Sequence, residues 1–366
     1  MISFQTARGF LGELRESLPQ AREAARDQGI SIPRQICEMV LLRMNLGKLS
    51  PADYFMLRLW RRGIPFSEKK TYISDRSVGR FKHDKRWDLV AHDKILAYSV
   101  LSSHGIAVPN TLAIVHPHRG LGKATQLKSE EELAAFLRTQ APYPLFSKPA
   151  TGIYSKNAMI LESLDQARDI LHLGDGSTLP LKDYTSLASQ GGSGFLLQEL
   201  LHPHPEVRSL CGDRLCTVRM IVFYDRKARK AKPFCALWKI ASPENMADNY
   251  WRRGNMLALL DLEQGRVERC TTGLGRETRE VERHPVSEKP IVGFVLPDWD
   301  QTLALTMRAA HAIPGLPVQA WDIALTSKGP VALEVNVFGS FFLPQIAMQS
   351  GLYQGEFRAF MEASAS

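Results

Sequence analysis

The stretch "WDIALTSKGPVALEVN", residues 321–336, has the pattern of two apolar strands joined by a short turn. Asp322 interrupts the first strand, and Glu334 and Asn336 interrupt the second. Side chains alternate between the two faces of a strand, so Glu334 and Asn336 share a face. If the strands pair around a turn at 326–330, Asp322 lies across from that same face. The hairpin therefore brings three oxygen-bearing side chains together.

These three side chains are costly to bury. An ionised carboxylate in a protein core costs several kcal/mol or more unless a cation pairs with it. Within this stretch only Lys328 is cationic, and it belongs to the turn. We therefore expect Asp322, Glu334 and Asn336 to converge without a basic partner, as ligands of a hard cation such as Mg²⁺.

The composition is typical of a soluble globular protein. The chain has 366 residues, of which 44% are hydrophobic and 23% charged, and this length predicts two or three domains. Its apolar runs are interrupted well before the roughly 18 residues that cross a bilayer. The N-terminus "MISFQTARGF" lacks the apolar segment of a signal peptide. We therefore predict no transmembrane segment and a cytoplasmic location.

The cysteine count and the net charge bear on compartment and partners. Five cysteines, an odd number without CxxC spacing, favour reduced core thiols in the cytoplasm. A net charge of +8 favours an anionic partner. Charge alone leaves nucleotide phosphates, an acidic polymer and nucleic acid open.

Residues 1–88 read as helices and connectors, without the strand–helix alternation of a Rossmann unit. Ser50 and Pro51 have the pattern of a helix start, with serine as the cap and proline in the first turn. Strands and helices mix beyond residue 88, so we predict an α+β fold with two lobes, 89–200 and 201–366. The expected helices lie near 92–104, 130–138 and 298–313, and the expected strands near 111–115, 143–148, 158–162, 195–199, 215–224, 233–240 and 256–262.

The stretch "LFSKPATGIYSKNA", residues 145–158, places Lys148 at the end of an apolar strand. A loop containing Gly152 and Lys156 follows. A lysine at a strand end can reach phosphate oxygens, and a glycine-bearing loop can close its amides over them. Surface turns with glycine and lysine are common, however, so both interpretations stay open. The GxxxxGK[ST] pattern of a Walker loop is absent.

The stretch "FLLQELLHPHPE", residues 195–206, is an apolar strand that presents Gln198 and Glu199 and then returns to Leu200 and Leu201. Such a connector between lobes can offer backbone groups to a purine edge. A carboxylate beyond it, such as Glu206, can bind ribose hydroxyls. The alternative is an edge strand with a solvated Glu199.

Two strands of the second lobe carry basic residues. Arg219 lies within the β-forming run "CTVRMIVFYD", and a buried arginine needs an anionic partner. Lys239 ends another strand, ahead of a polar loop that holds Asp248, Arg252 and Arg253. This loop is an anion clamp if it faces inward and a solvated surface if it faces outward.

Taken in this order, the motifs resemble the ATP-grasp superfamily over roughly 90–350. The hairpin is similar to the family's magnesium hairpin, and "LQELL" is similar to the hinge that reads adenine. The resemblance is strongest to the sugar-transfer-associated branch. Motifs similar to those of this branch are Thr217-Val-Arg219, Asp248-Asn249 and the segment Gly293 to Trp299. Helices replace the family's usual N-terminal Rossmann-like domain, so its substrate pocket does not carry over.

The resemblance implies an ATP-dependent ligase that activates a carboxylate as an acyl phosphate and joins it to an amine. The substrates would be small molecules, or an acidic, peptide or glycan acceptor, in the biosynthesis of a metabolite, peptide or cell-surface glycan. The implied nucleotide-binding residues are Lys94, Lys148, Lys156, Gln198, Glu199, Leu200, Leu201 and Glu206. The implied catalytic residues are Arg219, Lys156 and Lys239. Asp322, Glu334 and Asn336 would hold Mg²⁺, with two ions expected and Mn²⁺ as a substitute.

Two other functions stay open. A kinase could use the same grasp to phosphorylate a hydroxyl acceptor. A non-catalytic adaptor could bind an acidic polymer, because Arg58, Arg61 and other basic residues alternate with Tyr54 and Trp60 in the helical region. Solvated helix faces produce this pattern more often, and we expect no nucleic-acid partner.

Overall fold

The computed structural model describes residues 4–80, 83–152, 157–190, 192–245 and 247–365. Within these ranges the chain forms helices up to residue 103 and then two seven-stranded sheets with further helices, as the predicted α+β fold requires. None of the helices in these ranges combines the length and the apolar composition that a bilayer crossing needs.

The N-terminal region is helical, and its cap at Ser50 is confirmed. The Ser50 hydroxyl accepts a hydrogen bond from the Asp53 amide, and Asp53 accepts one from the Ser50 amide at 2.7 Å. This reciprocal cap satisfies two amides that the first helical turn leaves without partners. The helices are α1 (Phe4–Glu16), α2 (Leu18–Gln28), α3 (Ile32–Met44), α4 (Pro51–Met56), α5 (Phe66–Lys69), α6 (Asp88–His92) and α7 (Lys94–Ser103), with 3₁₀ turns at Asp75–Arg80 and Lys85–Trp87.

The first sheet has strand order β2-β1-β7-β3-β4-β5-β6. Two helices, α8 (Glu130–Thr139) and α9 (Leu181–Gln190), pack against one face, and α7 packs against the other. The strands are β1 (Thr111–Val115), β2 (Thr125–Leu127), β3 (Leu145–Pro149), β4 (Met159–Asp165), β5 (Ile170–Leu173), β6 (Thr178–Pro180) and β7 (Phe195–Glu199). The candidate site described below lies on the face of this sheet that α7 covers, and side chains of β3 and β7 line that face.

The second sheet is antiparallel, with strand order β12-β11-β10-β9-β8-β13-β14. Its strands are β8 (Thr217–Asp225), β9 (Lys230–Ile240), β10 (Met256–Leu260), β11 (Val267–Thr272), β12 (Arg279–Glu280), β13 (Val318–Thr326) and β14 (Gly329–Val337). The helices of this half are α10 (Pro205–Cys211), α11 (Trp299–Ala312), α12 (Phe342–Met348) and α13 (Gly355–Ala365), with a 3₁₀ turn at Gly275–Glu277.

The two faces of this sheet are covered by different parts of the chain. Helix α11 packs on the face that carries Val218, Trp238 and Trp321. The N-terminal helices and α12 pack on the other face, against Leu237 and Leu257. The N-terminal helices therefore lie over the same face as Arg219, which pairs with Leu237 in the ladder.

The predicted elements are found with shifted ends. The helix predicted at 298–313 is α11, and the strand predicted at 143–148 begins two residues later, as β3. Short or mixed strands such as β5 and β11 were not predicted, because their apolar runs are too brief to produce a period. The expectation that every cysteine is a core residue is wrong for Cys37, which is exposed; all five thiols are free.

Candidate active site

A network of buried charges spans three strands of the second sheet. Asp322 on β13 lies opposite Arg219 on β8, and its two oxygens accept hydrogen bonds from Arg219 Nε at 2.8 Å and Nη2 at 2.7 Å. Lys239 Nζ on β9 donates to the same carboxylate at 3.0 Å. All three side chains are nearly buried. Asp322 is therefore paired with two cations.

This pairing corrects the expectation that Asp322 converges with the other ligands without a basic partner. The expectation considered only the hairpin, but β13 also pairs with β8, which contributes Arg219. Burial alone would raise the pKa of Asp322, but the charges and hydrogen bonds of Arg219 and Lys239 hold it well below its usual range. Burial disfavours the charge on Arg219, yet Asp322 raises the pKa of that guanidinium above its ordinary value. Asp322 and Arg219 are therefore both charged at neutral pH.

The loop after β9 faces the network with an acidic residue. Asp248 Oδ2 accepts hydrogen bonds from the Thr217 amide at 2.8 Å and from its hydroxyl at 2.5 Å, and Asp248 Oδ1 lies 3.5 Å from Lys239 Nζ. Burial raises the pKa of Asp248, while Lys239 and Thr217 oppose the shift. Arg252 and Arg253 are exposed, so the loop is not an inward-facing basic clamp.

Glu334 and Asn336 continue the same face onto β14. Glu334 pairs with Asp322 across the ladder, as the hairpin pattern predicts, and a bulge follows on β14 at Leu333. The Asn336 amide nitrogen lies 3.5 Å from Glu334 Oε1 and 3.5 Å from the Ala320 carbonyl. In the described part of the chain, no cation lies within ion-pair distance of Glu334. Its carboxylate and the Asn336 amide oxygen are hard ligands that remain available, so this donor set fits Mg²⁺.

Two hydrogen bonds of Tyr98 link Lys148, on the first sheet, to this hairpin. Lys148 Nζ donates to the Tyr98 hydroxyl at 2.9 Å, and that hydroxyl donates to the Leu333 carbonyl at 2.8 Å. Burial lowers the pKa of Lys148 to about 8, although the negative charge of Glu334 opposes the shift. The ammonium group therefore lies close to the hairpin carboxylate while its own hydrogen-bond partner is neutral.

Lys94 is the first residue of α7 and lies beside Lys148. Asp93 caps the helix and accepts two hydrogen bonds from Arg119 Nη2, at 2.7 and 2.6 Å. The Lys94 amide donates to the Ala150 carbonyl, which fixes the helix start to the end of β3. Burial lowers the pKa of Lys94, Glu334 opposes the shift, and Lys148 adds to it. Lys94, Lys148 and Glu334 are thus electrostatic neighbours.

The predicted adenine hinge leaves the first sheet at the end of β7. Gln198 is buried and donates to the Thr111 hydroxyl, whereas Glu199 pairs with Lys328 in the hairpin turn. Among the described residues, the backbone groups of Leu200 and Leu201 have no hydrogen-bond partner, which leaves them available to a planar ligand. Glu206 is exposed in the first turn of α10, and its amide donates to His204 Nδ1; no contact joins it to the other candidates in these ranges.

Two residues remain to be placed, Lys156, which was predicted as a site residue, and Tyr98, which was not. Lys156 lies outside the described residues. Tyr98 was not among the predicted site residues, although it joins Lys148 to Leu333. It follows Lys94 by four residues in the sequence, which places both on one helix face. That spacing is the signal that could have identified it.

The family model described as sugar-transfer associated ATP-grasp matches residues 76–359 of the chain. This range includes the hairpin, Lys94, Lys148 and the predicted adenine hinge. A search of curated proteins finds no match.

Solved structures resemble the chain at low identity. D-Alanine–D-alanine ligase from Bacillus anthracis, complexed with ATP, is 12% identical with a TM-score of 0.42, and the match covers 77% of this chain and 68% of that one. VanG D-Ala:D-Ser ligase from Enterococcus faecalis is 12% identical with a TM-score of 0.43, covering 77% and 63%. The ADP complex of the N5-carboxyaminoimidazole ribonucleotide synthetase purK is 13% identical with a TM-score of 0.39, covering 69% and 47%. The chain thus spans about half the length of this last protein.

The paired and the unpaired carboxylates of the hairpin should differ in their effect on stability. Asp322→Asn leaves Arg219 and Lys239 buried without a full counter-charge, so we expect the free energy of unfolding to fall by about 3 kcal/mol or more. The matched change Glu334→Gln removes a charge that has no cationic partner, and we expect a change within about 0.5 kcal/mol. Chemical denaturation followed by circular dichroism measures both, and equal losses would contradict the network.

The lowered pKa of Lys148 predicts a pH dependence of ATP binding. The charged form binds phosphate, so above pH 8 the free protein must first take up a proton, and the Kd should rise by up to about tenfold per pH unit. Lys148→Arg remains charged in this range and should give a flatter profile. Titration calorimetry between pH 7 and 9.5 tests this; a parent profile as flat as that of the arginine variant would contradict it.

Proposed function

Because the chain belongs to the sugar-transfer-associated ATP-grasp family, we propose that it is an ATP- and Mg²⁺-dependent ligase. It activates a carboxylate as an acyl phosphate and joins it to an amine, with release of ADP and phosphate. One observation carries this proposal. Lys94 and Lys148 form no ion pair among the described residues, and the charge of each interacts with that of Glu334, which has no cation within ion-pair distance there. The Tyr98 hydroxyl joins Lys148 to the carbonyl of Leu333, the residue before Glu334. Such a set of unneutralised charges suits a metal–polyphosphate complex, which brings both signs of charge with it.

The nucleotide would lie between the two sheets. Lys94 and Lys148 would bind the α- and β-phosphates, and Lys156 and the amides of its loop would cover the γ-phosphate. The free backbone groups of Leu200 and Leu201 would bind the adenine edge. Gln198 and Glu199 flank that hinge, and Glu206 is proposed for the ribose hydroxyls.

The metal ligands would be Glu334, Asn336 and the lone pair of Asp322 that its two cations leave unused. Two Mg²⁺ ions are proposed, with Mn²⁺ as a substitute. The bound metal supplies charge neutralisation on the phosphate oxygens. The chain's own contribution would be to hold the Asp322 oxygens rigidly, since β13 is paired on both sides.

The chemistry proceeds in two displacements. A carboxylate oxygen of the substrate attacks the γ-phosphorus, the bond to the β–γ bridging oxygen breaks, and ADP leaves with that electron pair. The amine then attacks the acyl carbon and loses a proton, and phosphate leaves. Arg219 uses Nε and Nη2 for Asp322, and Nη1 has no partner in the described part of the chain. Nη1 would donate to the acyl phosphate or the oxyanion that follows. Lys239 would supply the second positive charge beside it.

The acceptor pocket would be formed by the N-terminal helical region, 1–88, against the lobes 89–200 and 201–366. Asp75 accepts a hydrogen bond from the Phe341 amide at 2.8 Å, close to the end of the hairpin. Desolvation raises its pKa, while that amide and the positive charge of Arg219 act the other way. An acidic residue at this position suits an amine nucleophile. Small-molecule substrates, or an acidic, peptide or glycan acceptor, remain proposals, as does a biosynthetic role in the cytoplasm.

The metal assignment predicts the effect of Glu334→Gln on turnover. The variant should fold like the parent but lose about 10²-fold or more in kcat, because the neutral amide no longer complements the metal. ADP release at saturating Mg²⁺ measures this, with Glu263→Gln, an exposed glutamate on the α11 side, as the matched control. Parent-like turnover in Glu334→Gln would show that the hairpin is not the metal site.

A trapping experiment separates the ligase from its rivals. With hydroxylamine present, a ligase should convert a carboxylate substrate into a hydroxamate, whereas a kinase should release ADP on hydroxyl acceptors without hydroxamate from any acid. Salt-sensitive polymer binding without nucleotide turnover would favour the adaptor.

The same assay tests Arg219. Arg219→Lys keeps the charge but loses the planar fork, so we expect little change in the Kd for ATP and about tenfold or greater loss of hydroxamate. The exposed Arg226→Lys should change neither. An unchanged hydroxamate yield in Arg219→Lys would remove this residue from the reaction.

A further inference from the structure

A small cavity lies between the N-terminal helices and α12, away from the charged hairpin. Its volume is about 40 Å³. The polar lining comes from Arg58, Arg61, Tyr72, Thr278, Gln345 and Gln349, and the remaining lining is apolar. No carboxylate is among these residues, and the charged groups of the lining are the two arginines, so its charge is positive.

Three of the lining side chains, those of Arg58, Arg61 and Tyr72, have donors without a hydrogen-bond partner among the described residues. Arg58 Nε is buried without a hydrogen-bond acceptor, and neither Arg58 nor Arg61 forms an ion pair, as far as the described ranges extend. Tyr72 is only 3% exposed, and no acceptor for its hydroxyl lies within those ranges. A buried donor without a partner costs free energy that an arriving acceptor returns.

The electrostatics of the cavity also favour a negatively charged ligand. Burial lowers the pKa of Arg58, and the positive charge of Arg61 lowers it further. The acidic residue that acts against this shift is Glu280, which is already engaged by Gln349 at 3.1 Å and by Arg269 at 3.6 Å. The two guanidinium groups therefore repel each other without a neutralising carboxylate between them.

The backbone of Arg58 adds an independent observation. It has φ of +57°, in the left-handed region just beyond the end of α4, where glycine is the usual residue. An arginine in this conformation costs stability that glycine would avoid. An unfavourable residue at a site that folding alone would give to glycine indicates a use for its side chain.

From this geometry we propose that the cavity binds a small oxyanion, a phosphate or carboxylate group, between Arg58, Arg61 and Tyr72. The volume corresponds to about three water-sized groups, which suits one such group and excludes a nucleotide. The two arginines would supply paired N–H donors, and the Tyr72 hydroxyl would donate to the oxyanion from another side. The site shares no residue with the proposed ATP cleft, so it does not depend on the proposed function.

The test is the binding of inorganic phosphate to the full chain, without nucleotide or metal, by titration calorimetry and by the shift in the unfolding midpoint. Sodium chloride of equal ionic strength is the reference. We expect saturable binding that Arg58→Gly weakens by about tenfold or more and that Tyr72→Phe weakens less. Arg58→Gly should keep or raise the ligand-free midpoint, because glycine accommodates the left-handed backbone. A parallel titration with acetate distinguishes the two oxyanions, and binding of either one supports the site.

Two further variants control the result. Arg229→Gly changes another arginine with a left-handed backbone, φ of +53°, that is exposed and outside the cavity, and it should leave phosphate affinity unchanged. Lys148→Ala should keep the phosphate-binding event that Arg58→Gly weakens, whatever it does to phosphate binding in the proposed ATP cleft. The proposal fails if neither anion binds above the chloride reference, or if Arg58→Gly binds as tightly as the parent. It also fails if Lys148→Ala alone loses binding, since the anion would then lie in the cleft.

Discussion

The buried charge of Asp322 is the constraint on which this half of the molecule depends. An ionised carboxylate at the centre of a sheet is stable only with cations held against it. Arg219 on β8 and Lys239 on β9 provide these cations. Two nitrogens of Arg219 donate to the two Asp322 oxygens at 2.8 and 2.7 Å. Strands β9, β8 and β13 must therefore stay in register for the charges to meet.

This pairing divides the candidate site into a fixed part and an available part. Arg219, Lys239 and Asp322, together with Asp248, largely neutralise one another. Glu334, Lys94 and Lys148 are left with charges that the described protein does not neutralise. The Tyr98 hydroxyl links Lys148 to the Leu333 carbonyl and so sets the separation of the two sheets at this point. Under the proposed function, a polyanion and its metal would bind here without rearrangement of the protein, because the charges are already in place.

The sequence predicted the family, the α+β fold and the pairing of Asp322 with Glu334, because these follow from local alternation and from motifs in order. It predicted that a buried Arg219 needs an anionic partner, since an unpaired charge is costly in a core. It could not predict that Arg219 faces Asp322, because strand neighbours 103 residues apart leave no periodic signal. Tyr98 could have been predicted, because it lies four residues after Lys94 on the same helix face. The roles of the site residues follow from the resemblance and stay predictions.

Arg58 illustrates what a local conflict between sequence and backbone can indicate. In the sequence it belongs to a run of basic and aromatic residues that is more often a solvated helix face. In the structure its backbone has the left-handed conformation that favours glycine, its Nε is buried without an acceptor, and Arg61 repels it. Each feature disfavours folding by itself, and the exposed Arg229, which shares the left-handed backbone, is not among the buried side chains that lack a hydrogen-bond partner. Of these costs, the proposed anion would relieve the unpaired Nε and the repulsion by Arg61, and the left-handed backbone is the cost of placing this side chain at the cavity.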